Sequence, residues 1–417
     1  MKQGRTFVGF GFGAIQAGLF VYEAWRSKNF GRLVVAEVIP AMVESVRRNK
    51  GYFALNVATL AGIETHEIGP IEILNPLVEQ DRKALIQAVA AADEIGTALP
   101  SVAFYGTGKP GDVLDILTSG LCAKMKDAEL PAAVIYTAEN HNHAAEILTQ
   151  ALASRLGADL AVARTQVLNT VIGKMSGVVT DASQVTEQGL VPIVAGLGRA
   201  FLVEAFNRIL ITRIRLPGFL RGIQVFEEKA DLLPFEEAKL YGHNATHALI
   251  GYLLRESGGL YISDATGNPA LLKLARDAFL LESGAALCCK YQGEDPLFTL
   301  AGYKAYVDDL MVRMTNPFLK DAVDRVTRDT RRKLGWDDRI IGTMRLALGQ
   351  GIQPERYALG AAAAFRQLAV EENTTPVSLM ESLWKDCDGA DASLVRCLVE
   401  SRYKEAAYNQ PPWSNIR

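Results

Sequence analysis

The first half of the chain alternates short apolar runs with longer segments that carry helical periodicity. This pattern predicts strands at 5–10, 33–38, 94–99, 132–136 and 191–195, and helices at 14–27, 40–49, 79–92 and 144–156. Short buried strands that are separated by helices are joined by crossover connections, so neighbouring strands run parallel. The alternation therefore predicts an α/β fold that begins with a Rossmann-type doubly wound sheet.

Beyond Pro217 helical periodicity persists, while strand-like runs become scarce. Helices are predicted at 235–255, 269–291, 303–313, 317–334 and 355–371. Proline and glycine cluster at 216–223, which is typical of a connection between domains. Because 417 residues exceed what one hydrophobic core usually supports, we predict a Rossmann-type domain at residues 1–220 and a mostly α-helical C-terminal domain at residues 221–417.

The charge and hydropathy of the sequence limit the kinds of partner that we expect the protein to bind. Lys and Arg number 44 against 47 Asp and Glu, so the net charge of −3 gives no field that attracts nucleic acid or anionic lipid. The apolar run at 7–22 contains four glycines and is shorter than the ~20 residues of a membrane span. Five scattered cysteines suit a reducing compartment. We expect a soluble, cytoplasmic protein with no nucleic-acid and no membrane partner.

A glycine turn follows the first predicted strand. Gly11 and Gly13 would let backbone N–H groups approach a pyrophosphate at the start of a helix. Glu37, near the end of the second strand, would accept hydrogen bonds from the adenosine ribose and repel a 2′-phosphate, which favours NAD over NADP. Gln16 takes the third glycine position, although a frame shifted by two residues puts the small Ala14 there. A plain glycine turn and a solvated acid are the alternatives.

Four of the five histidines fall in two short segments, at 139–143 and 243–247. The first segment, with Asn140, follows a predicted strand, where ligands bind in such sheets. The second lies on a predicted helix where Lys239, Asn244 and His247 share one broad face at about 100° per residue. A buried lysine with a lowered pKa can act as a general base, while amide donors stabilise an alkoxide.

Two other interpretations of these histidine segments stay open. The lysine can be solvated, with the asparagine and the histidine packing against neighbours. The pairs His141/His143 and His243/His247 also have spacings that suit metal ligands. Because no cysteine or carboxylate clearly completes either set, the predicted site contains no metal.

The segment 239–247, with Lys239, Asn244 and His247 in the pattern K-x4-N-x2-H, resembles the signature of the polyol-specific long-chain dehydrogenases, the mannitol dehydrogenase family. The stretch 234–237 (PFEE) is similar to its mannitol dehydrogenase branch. The stretches 282–285 (ESGA), 316–321 (NPFLKD), 324–326 (DRV), 332–334 (RKL) and 338–341 (DRII) are similar to its mannitol-1-phosphate branch. The resemblance follows chain order through most of the sequence.

The resemblance implies a role for each matching residue. Lys239 would be the general base, Asn244 and Asn140 would stabilise the oxyanion, and His247 would orient the substrate. The substrate-binding positions would be Arg325, Lys333 and Glu236. Gly11, Gly13, Gln16 and Glu37 would bind NAD. In this family the lysine takes the place of a catalytic zinc, so no metal is implied.

The sequence departs from the family pattern at 173–177 (GKMSG), where an Asp-Arg-Ile-(Thr/Val)-Pro stretch is expected on the substrate side. Six cations between Arg325 and Arg339 would suit a phosphate, although nearby aspartates can also balance them. The resemblance thus implies an NAD-dependent oxidoreductase that interconverts a hexitol phosphate, such as mannitol 1-phosphate, and fructose 6-phosphate. The alternatives are an unphosphorylated polyol or sugar acid as the substrate, a metal-dependent enzyme, or a non-catalytic NAD-binding protein.

Overall fold

The computed structural model describes residues 4–157, 164–387 and 389–405. The strands are β1 (Arg5–Phe10), β2 (Phe30–Ala36), β3 (Phe53–Ala58), β4 (Ile63–Ile68), β5 (Glu72–Leu74), β6 (Glu94–Thr97), β7 (Ala133–Thr137), β8 (Thr165–Val171), β9 (Ser176–Val179), β10 (Ala200–Glu204), β11 (Leu210–Thr212) and β12 (Glu227–Lys229).

The helices include three that contain a wide π turn. They are α1 (π turn Gln16–Val21, then Tyr22–Ser27), α2 (Pro40–Arg48), α3 (Glu79–Ala91), α4 (Val113–Lys126), α5 (Ala144–Leu156), α6 (Ala182–Glu187), α7 (Leu233–Glu237, π turn Ala238–Asn244, then Ala245–Glu256), α8 (Pro269–Asp277, π turn Ala278–Gly284, then Ala285–Lys290), α9 (Leu300–Met314), α10 (Val323–Thr327), α11 (Thr330–Lys333), α12 (Ile341–Gly349), α13 (Glu355–Glu371), α14 (Pro376–Leu383) and α15 (Ala390–Glu405). Short 3₁₀ segments lie at Val102–Phe104, Ile262–Gly267, Pro296–Phe298 and Pro317–Leu319.

The main sheet has eight strands in the order β12-β11-β8-β7-β6-β1-β2-β5. The six neighbouring strands β8, β7, β6, β1, β2 and β5 run parallel. Phe10 at the end of β1 pairs with Ala36 of β2 on one side and with Thr97 of β6 on the other. The chain moves outward from β1 through β2 to β5 and then continues from β6 on the opposite side. The strand order thus reverses between β1 and β6, where doubly wound sheets bind ligands.

Successive residues of β1 enter different cores, as the two-residue period of a strand requires. Phe7 packs in one cluster with Phe20 of α1, whereas Val8 and Phe10 pack in another with residues of α3, α4 and α5. The first cluster also includes Phe53 of a second, four-stranded sheet with the order β4-β3-β10-β9. The predicted α/β fold with a Rossmann-type sheet is confirmed, while the second sheet was not predicted.

One predicted strand is wrong. Residues 191–195 are irregular, and the nearby strand is β10, at Ala200–Glu204. The Asn56 side chain donates to the Val191 carbonyl at 2.8 Å and accepts from the Val191 N–H at 3.0 Å. A side chain therefore satisfies backbone groups that a strand ladder would use, and the buried apolar residues of this run mimic a strand in the sequence.

The C-terminal part of the chain is helical, as predicted. The predicted helix at 317–334 is instead three short turns, because Lys320 (φ 47°) and Asp329 (φ 57°) adopt the left-handed conformation, which interrupts a right-handed helix. No helix in the described ranges is long and apolar enough to cross a membrane.

The chain divides into one unit that ends at Leu233 and a second that begins at Pro234. This division lies after the predicted boundary at residue 220. Ile223 and Phe226 belong to the N-terminal core, and β12 pairs with β11, so the segment 221–233 packs with the first unit.

Candidate active site

The glycine turn after β1 is shaped for close approach of a ligand. Gly11 has a φ of +85°, and a β-carbon there would lie 2.8 Å from the Ala98 carbonyl oxygen. A β-carbon on Gly13 would meet nothing within 4 Å, so this side of the turn is open. The Ala17 N–H donates to the Gly13 carbonyl at 2.9 Å, which starts α1 directly after the turn. The turn and the helix N-terminus together fit a pyrophosphate.

Glu37 is connected to this turn by hydrogen bonds. Its Oε2 accepts from the Phe12 N–H at 3.1 Å, and its Oε1 accepts from the Ile39 N–H at 2.8 Å. Each carboxylate oxygen has two lone pairs and can accept a further hydrogen bond. The carboxylate thus lies at the end of β2 beside the turn, where the ribose of a dinucleotide would be expected.

Gln16 lies in the first π turn of α1 and is fully buried. A β-carbon on Gly9 would overlap the Gln16 amide, and one on Gly96 would lie 3.5 Å from it. The side chain therefore occupies the space above two glycines of the sheet. Its amide nitrogen and oxygen have no hydrogen-bond partner within the described chain.

Asn140 is exposed at the carboxyl end of β7, directly after a buried glutamate. Glu139 accepts hydrogen bonds from the Thr97 hydroxyl at 3.0 Å, from the Leu99 N–H at 2.9 Å and from the Tyr105 hydroxyl. All three donors belong to β6 or to the connection that follows it. Glu139 therefore anchors the turn that presents Asn140.

In the second unit, Lys239, Asn244 and His247 lie on α7. The turn Ala238–Asn244 is a π turn, in which hydrogen bonds link residues five apart. Lys239 and Asn244 are five apart, so the wide turn brings them to one face instead of the 140° separation of an α-helix. This turn, which was not predicted from the sequence, aligns the two residues more closely than an α-helix would.

Neighbouring helices pack tightly against the π turn of α7. A β-carbon on Gly242 would lie 2.6 Å from the Tyr303 hydroxyl and 2.7 Å from the Phe279 ring. The Thr343 hydroxyl donates to the Tyr241 carbonyl at 3.0 Å. Such wide turns are frequent at functional sites, and here packing and a hydrogen bond hold the turn in place.

The electrostatic surroundings of Lys239 favour the neutral amine. Burial, followed by the positive charge of Arg339, lowers the pKa of Lys239 to about 8, while the carboxylate of Glu236 acts in the opposite direction. A lysine with a pKa near the working pH can both accept and release a proton. The solvated lysine of the alternative interpretation would lack this burial.

His243 lies on α7 four residues before His247, and the two ring centroids are 6.2 Å apart. Burial and the positive charges around it lower the pKa of His243 well below its ordinary value, so the ring is neutral. His141 and His143 are exposed in the first unit. Among the described residues no three His, Cys, Asp or Glu side chains are arranged to hold a metal ion.

His247 belongs to a chain of three side chains. Its Nε2 lies 2.9 Å from Oδ2 of Asp321, and the Oδ1 of Asp321 accepts a hydrogen bond from Nε of Arg325 at 2.7 Å. Asp321 therefore lies between His247 and Arg325. Asp321 was missed by the sequence analysis as a site residue, although it ends the stretch NPFLKD that was singled out.

Lys333 is buried, and its ammonium donates to the carbonyl groups of Val326, at 2.6 Å, and Arg328. The other cations of this region are paired with acids: Arg325 with Asp321, Arg328 with Asp329, Arg331 with Glu372, and Arg332 and Arg339 with Asp338. The structure therefore balances the charge of the basic cluster, and the substrate-binding roles of Arg325 and Lys333 stay predictions.

Comparisons with known proteins identify a family model and relatives that are similar to this chain. Residues 231–401 match the family model described as the mannitol dehydrogenase C-terminal domain. The chain is 28% identical over 356 residues to mannitol-1-phosphate 5-dehydrogenase from Bacillus licheniformis, covering 85% of this chain and 86% of the relative. It is 26% identical over 415 residues to the enzyme of the same name from Brevibacillus brevis, covering 98% of both.

Two solved structures share the fold. One is Pseudomonas fluorescens mannitol 2-dehydrogenase in a ternary complex with NAD and D-mannitol, with a TM-score of 0.71, 18% identity and coverage of 98% of this chain and 93% of that one. The other is a D-sorbitol dehydrogenase in substrate-free form, with a TM-score of 0.78, 14% identity and coverage of 98% and 94%. At such identities the likeness concerns the fold.

Proposed function

The chain belongs to the mannitol dehydrogenase family, and on this premise we propose that it is an NAD-dependent polyol dehydrogenase. Its substrate is a hexitol phosphate such as mannitol 1-phosphate, which is oxidised at a secondary alcohol to a ketose phosphate such as fructose 6-phosphate. The observation that carries the proposal is Lys239, whose pKa is lowered to about 8 on a π turn that also holds Asn244.

Three residues of α7 have different roles in the oxidation of the alcohol. Neutral Lys239 accepts the hydroxyl proton as the carbon–oxygen bond becomes a carbonyl. Asn244 stabilises the negative charge that develops on the oxygen, a role that the family resemblance also gives to Asn140. His247 orients the hydroxyl groups next to the reacting carbon. In the reverse direction the lysine returns the proton.

The first unit holds the cofactor. NAD, when bound, supplies the acceptor for the hydride that leaves the carbon. The open turn at Gly11 and Gly13 fits its pyrophosphate, and Glu37 fits its ribose hydroxyls. Gln16 supports the turn, because its side chain fills the space next to Gly9 that a β-carbon there would occupy.

The phosphate on the substrate is the finer part of the proposal. It is supported by the names of two curated relatives that align with most of the chain. The arginines of the basic cluster already have acidic partners, which favours an unphosphorylated polyol as the second candidate.

The test is NADH formation, followed by absorbance, with a panel of hexitols and hexitol phosphates, with and without chelator. We expect chelator-resistant oxidation, with a higher kcat/KM for a hexitol phosphate. Lys239→Ala should reduce kcat/KM by about 10³-fold or more, since it removes the general base, while binding of NAD is kept. Lys304→Ala is the matched control, because Lys304 is exposed on α9 and pairs with Asp308.

Each result separates the alternatives. Preference for an unphosphorylated hexitol would keep the reaction and replace the substrate. Loss of activity with chelator would favour a metal-dependent enzyme. NAD binding without turnover of any member of the panel would contradict the polyol dehydrogenase proposal.

A further inference from the structure

Three buried hydroxyl groups connect helices α7, α8 and α13. They belong to Thr246, Ser283 and Tyr357, whose side chains are fully buried. The Tyr357 hydroxyl lies 2.7 Å from the Thr246 hydroxyl and 3.1 Å from the Ser283 hydroxyl. Tyr357 of α13 therefore joins α7 to α8 through hydrogen bonds.

The direction of these hydrogen bonds follows from the end of the chain that they form. The Ser283 hydroxyl donates its one hydrogen to the Phe279 carbonyl at 3.1 Å, so it accepts from Tyr357. Burial raises the pKa of Tyr357 above its ordinary value, so this phenol keeps the hydrogen that it donates to Ser283. The Thr246 hydroxyl is then the donor to Tyr357. The chain ends within the π turn of α8, which contains Phe279.

A buried carboxylate holds the backbone of Tyr357. The Tyr357 N–H donates to Oε2 of Glu282 at 3.1 Å, and the Arg356 N–H donates to Oε1 at 2.9 Å. Glu282 and Ser283 are neighbours in the π turn of α8. Tyr357 is therefore attached to this turn both by its backbone and by its hydroxyl group.

The π turns of α7 and α8 also pack against one aromatic side chain. A β-carbon on Gly242 of α7 would lie 2.6 Å from the Tyr303 hydroxyl, and one on Gly284 of α8 would lie 2.7 Å from the Tyr303 ring. Tyr303 itself is fully buried. Each turn therefore has a glycine where Tyr303 approaches, and α8 supports the turn of α7 through this contact as well.

Thr246 lies directly after the π turn that carries the candidate base. The π turn of α7 ends at Asn244, and the α-helix resumes at Ala245. Because π turns are rare within α-helices, contacts from outside the helix are needed to hold this one. The hydrogen bond from Thr246 to Tyr357 is such a contact, at the point where the wide turn passes into the α-helix.

We propose that Tyr357 is a positioning residue of the candidate active site, because its hydroxyl holds the end of the π turn of α7. That turn aligns Lys239 with Asn244. The inference rests on the proposed function, in which Lys239 is the general base. Tyr357 acts through Thr246 and the turn, and it does not contact the reacting groups itself.

The effect on the turn is measured without turnover, by amide hydrogen exchange followed by mass spectrometry. Tyr357→Phe keeps the ring and removes the hydroxyl, so the amides of Ala238–Asn244 should exchange about 10-fold faster. Tyr252→Phe is the matched control, because Tyr252 is also buried and its hydroxyl lies 3.2 Å from the Thr330 hydroxyl, in the later part of α7. Unchanged exchange of the turn in Tyr357→Phe, or the same acceleration in both variants, overturns the proposal.

Kinetics show whether the turn positions the base. Tyr357→Phe should lower kcat about 10-fold with little change in KM. It should also shift the oxidation profile to higher pH, because water beside a relaxed turn reduces the burial that lowers the pKa of Lys239. The charges of Arg339 and Glu236, which also act on Lys239, are the same in both variants. Tyr252→Phe should leave the profile in place. Equal losses of kcat and unchanged profiles in both variants indicate a merely structural tyrosine and overturn the proposal.

Thr246→Val tests the link itself, since valine keeps the shape of threonine without its hydroxyl. If Tyr357 acts through Thr246, the double variant should lose little more of kcat/KM than either single variant. Additive losses overturn the proposal. If Tyr357→Phe does not fold, Thr246→Val is used for the exchange and the pH profile in its place.

These outcomes are distinct from failure of the proposed function. A protein that oxidises no polyol overturns the polyol dehydrogenase proposal, while hydrogen exchange still decides whether Tyr357 holds the π turn. An active enzyme whose exchange and pH profile do not respond to Tyr357→Phe overturns this inference alone. Thermal unfolding of each variant shows that the compared proteins are folded.

Discussion

Arg339 is the charged residue that most lowers the pKa of Lys239. Burial is the largest cause of the shift to about 8, and the guanidinium charge of Arg339 is the second. The Thr343 hydroxyl also donates to the Arg339 carbonyl and to the Tyr241 carbonyl within the π turn. The Thr343 hydroxyl therefore connects the backbone of Arg339 to the π turn that carries Lys239.

The first prediction concerns the pH dependence of polyol oxidation. Only neutral Lys239 accepts the hydroxyl proton, so kcat/KM should rise with pH through about 8 and then level off. Ketose reduction needs the protonated lysine and should fall over the same range. Initial rates in both directions, at constant ionic strength, check this. An oxidation rate that does not change around pH 8 would argue against the lysine as the base.

Replacement of Arg339 should move this profile. Without the guanidinium charge the pKa of Lys239 rises, so Arg339→Gln should shift the oxidation profile to higher pH. Oxidation at neutral pH should be several-fold slower, with a similar plateau at high pH. Arg332→Gln is the matched control, because Arg332 shares the partner Asp338 with Arg339 but is not among the charges that shift Lys239. Identical shifts in both variants would refute the assignment.

The site could be predicted from the sequence only in part. Lys239, Asn244 and His247 were found because they lie close together in the chain and form a recognisable spacing. Asp321 was missed because it reaches His247 from a different segment, and a single sequence carries no signal for such a contact. The π turn was also missed, since one wide turn within a long helix is too short to change the apolar periodicity that predicts the helix from the sequence.

The fold could be predicted where the pattern is local, and not where long-range contacts decide. The strand Arg5–Phe10 and the helix Ala144–Leu156 have the predicted bounds. The apolar run at 191–195 is not a strand, because Asn56 binds its backbone. In the same way Gln16, which looks like a defect in the glycine motif, fills space that Gly9 leaves open.

This relationship between Gln16 and Gly9 predicts a double-mutant cycle. Gly9→Ala would force the new methyl group into the Gln16 amide and should destabilise the first unit by about 1–3 kcal/mol. The same substitution should cost clearly less when Gln16→Gly has removed the amide. Urea unfolding of the four proteins checks the coupling. Additive effects would show that the two positions do not share this space.

Glu37 is predicted to set the choice of dinucleotide. Glu37→Gln keeps the acceptor oxygen that the Phe12 N–H requires but removes the charge that repels a 2′-phosphate. We expect weaker binding of NAD and stronger binding of NADP, each measured by titration without substrate. Glu44→Gln, an exposed change on α2, should alter neither. An unchanged ratio of the two dissociation constants would contradict the assignment.

Glu282 makes the stability of the protein depend on pH. This fully buried carboxylate accepts hydrogen bonds from the N–H groups of Arg356 and Tyr357, at the start of α13. Burial raises its pKa from 4.5 to about 7, despite those bonds. A group whose pKa is higher in the folded state stabilises the fold below pH 4.5, and this contribution is lost as the pH rises through about 7. The loss amounts to roughly 3 kcal/mol at most.

Glu282→Gln removes this titration, because the amide keeps an acceptor oxygen and takes up no proton. The free energy of unfolding should therefore fall for the unaltered protein between about pH 5 and 8, relative to the variant. Denaturant unfolding across this range checks the prediction, and Glu381→Gln, an exposed change on α14, is the control. If the curves of the two proteins run parallel, the carboxylate is already ionised at pH 5, and the hydrogen bonds at α13 outweigh its burial.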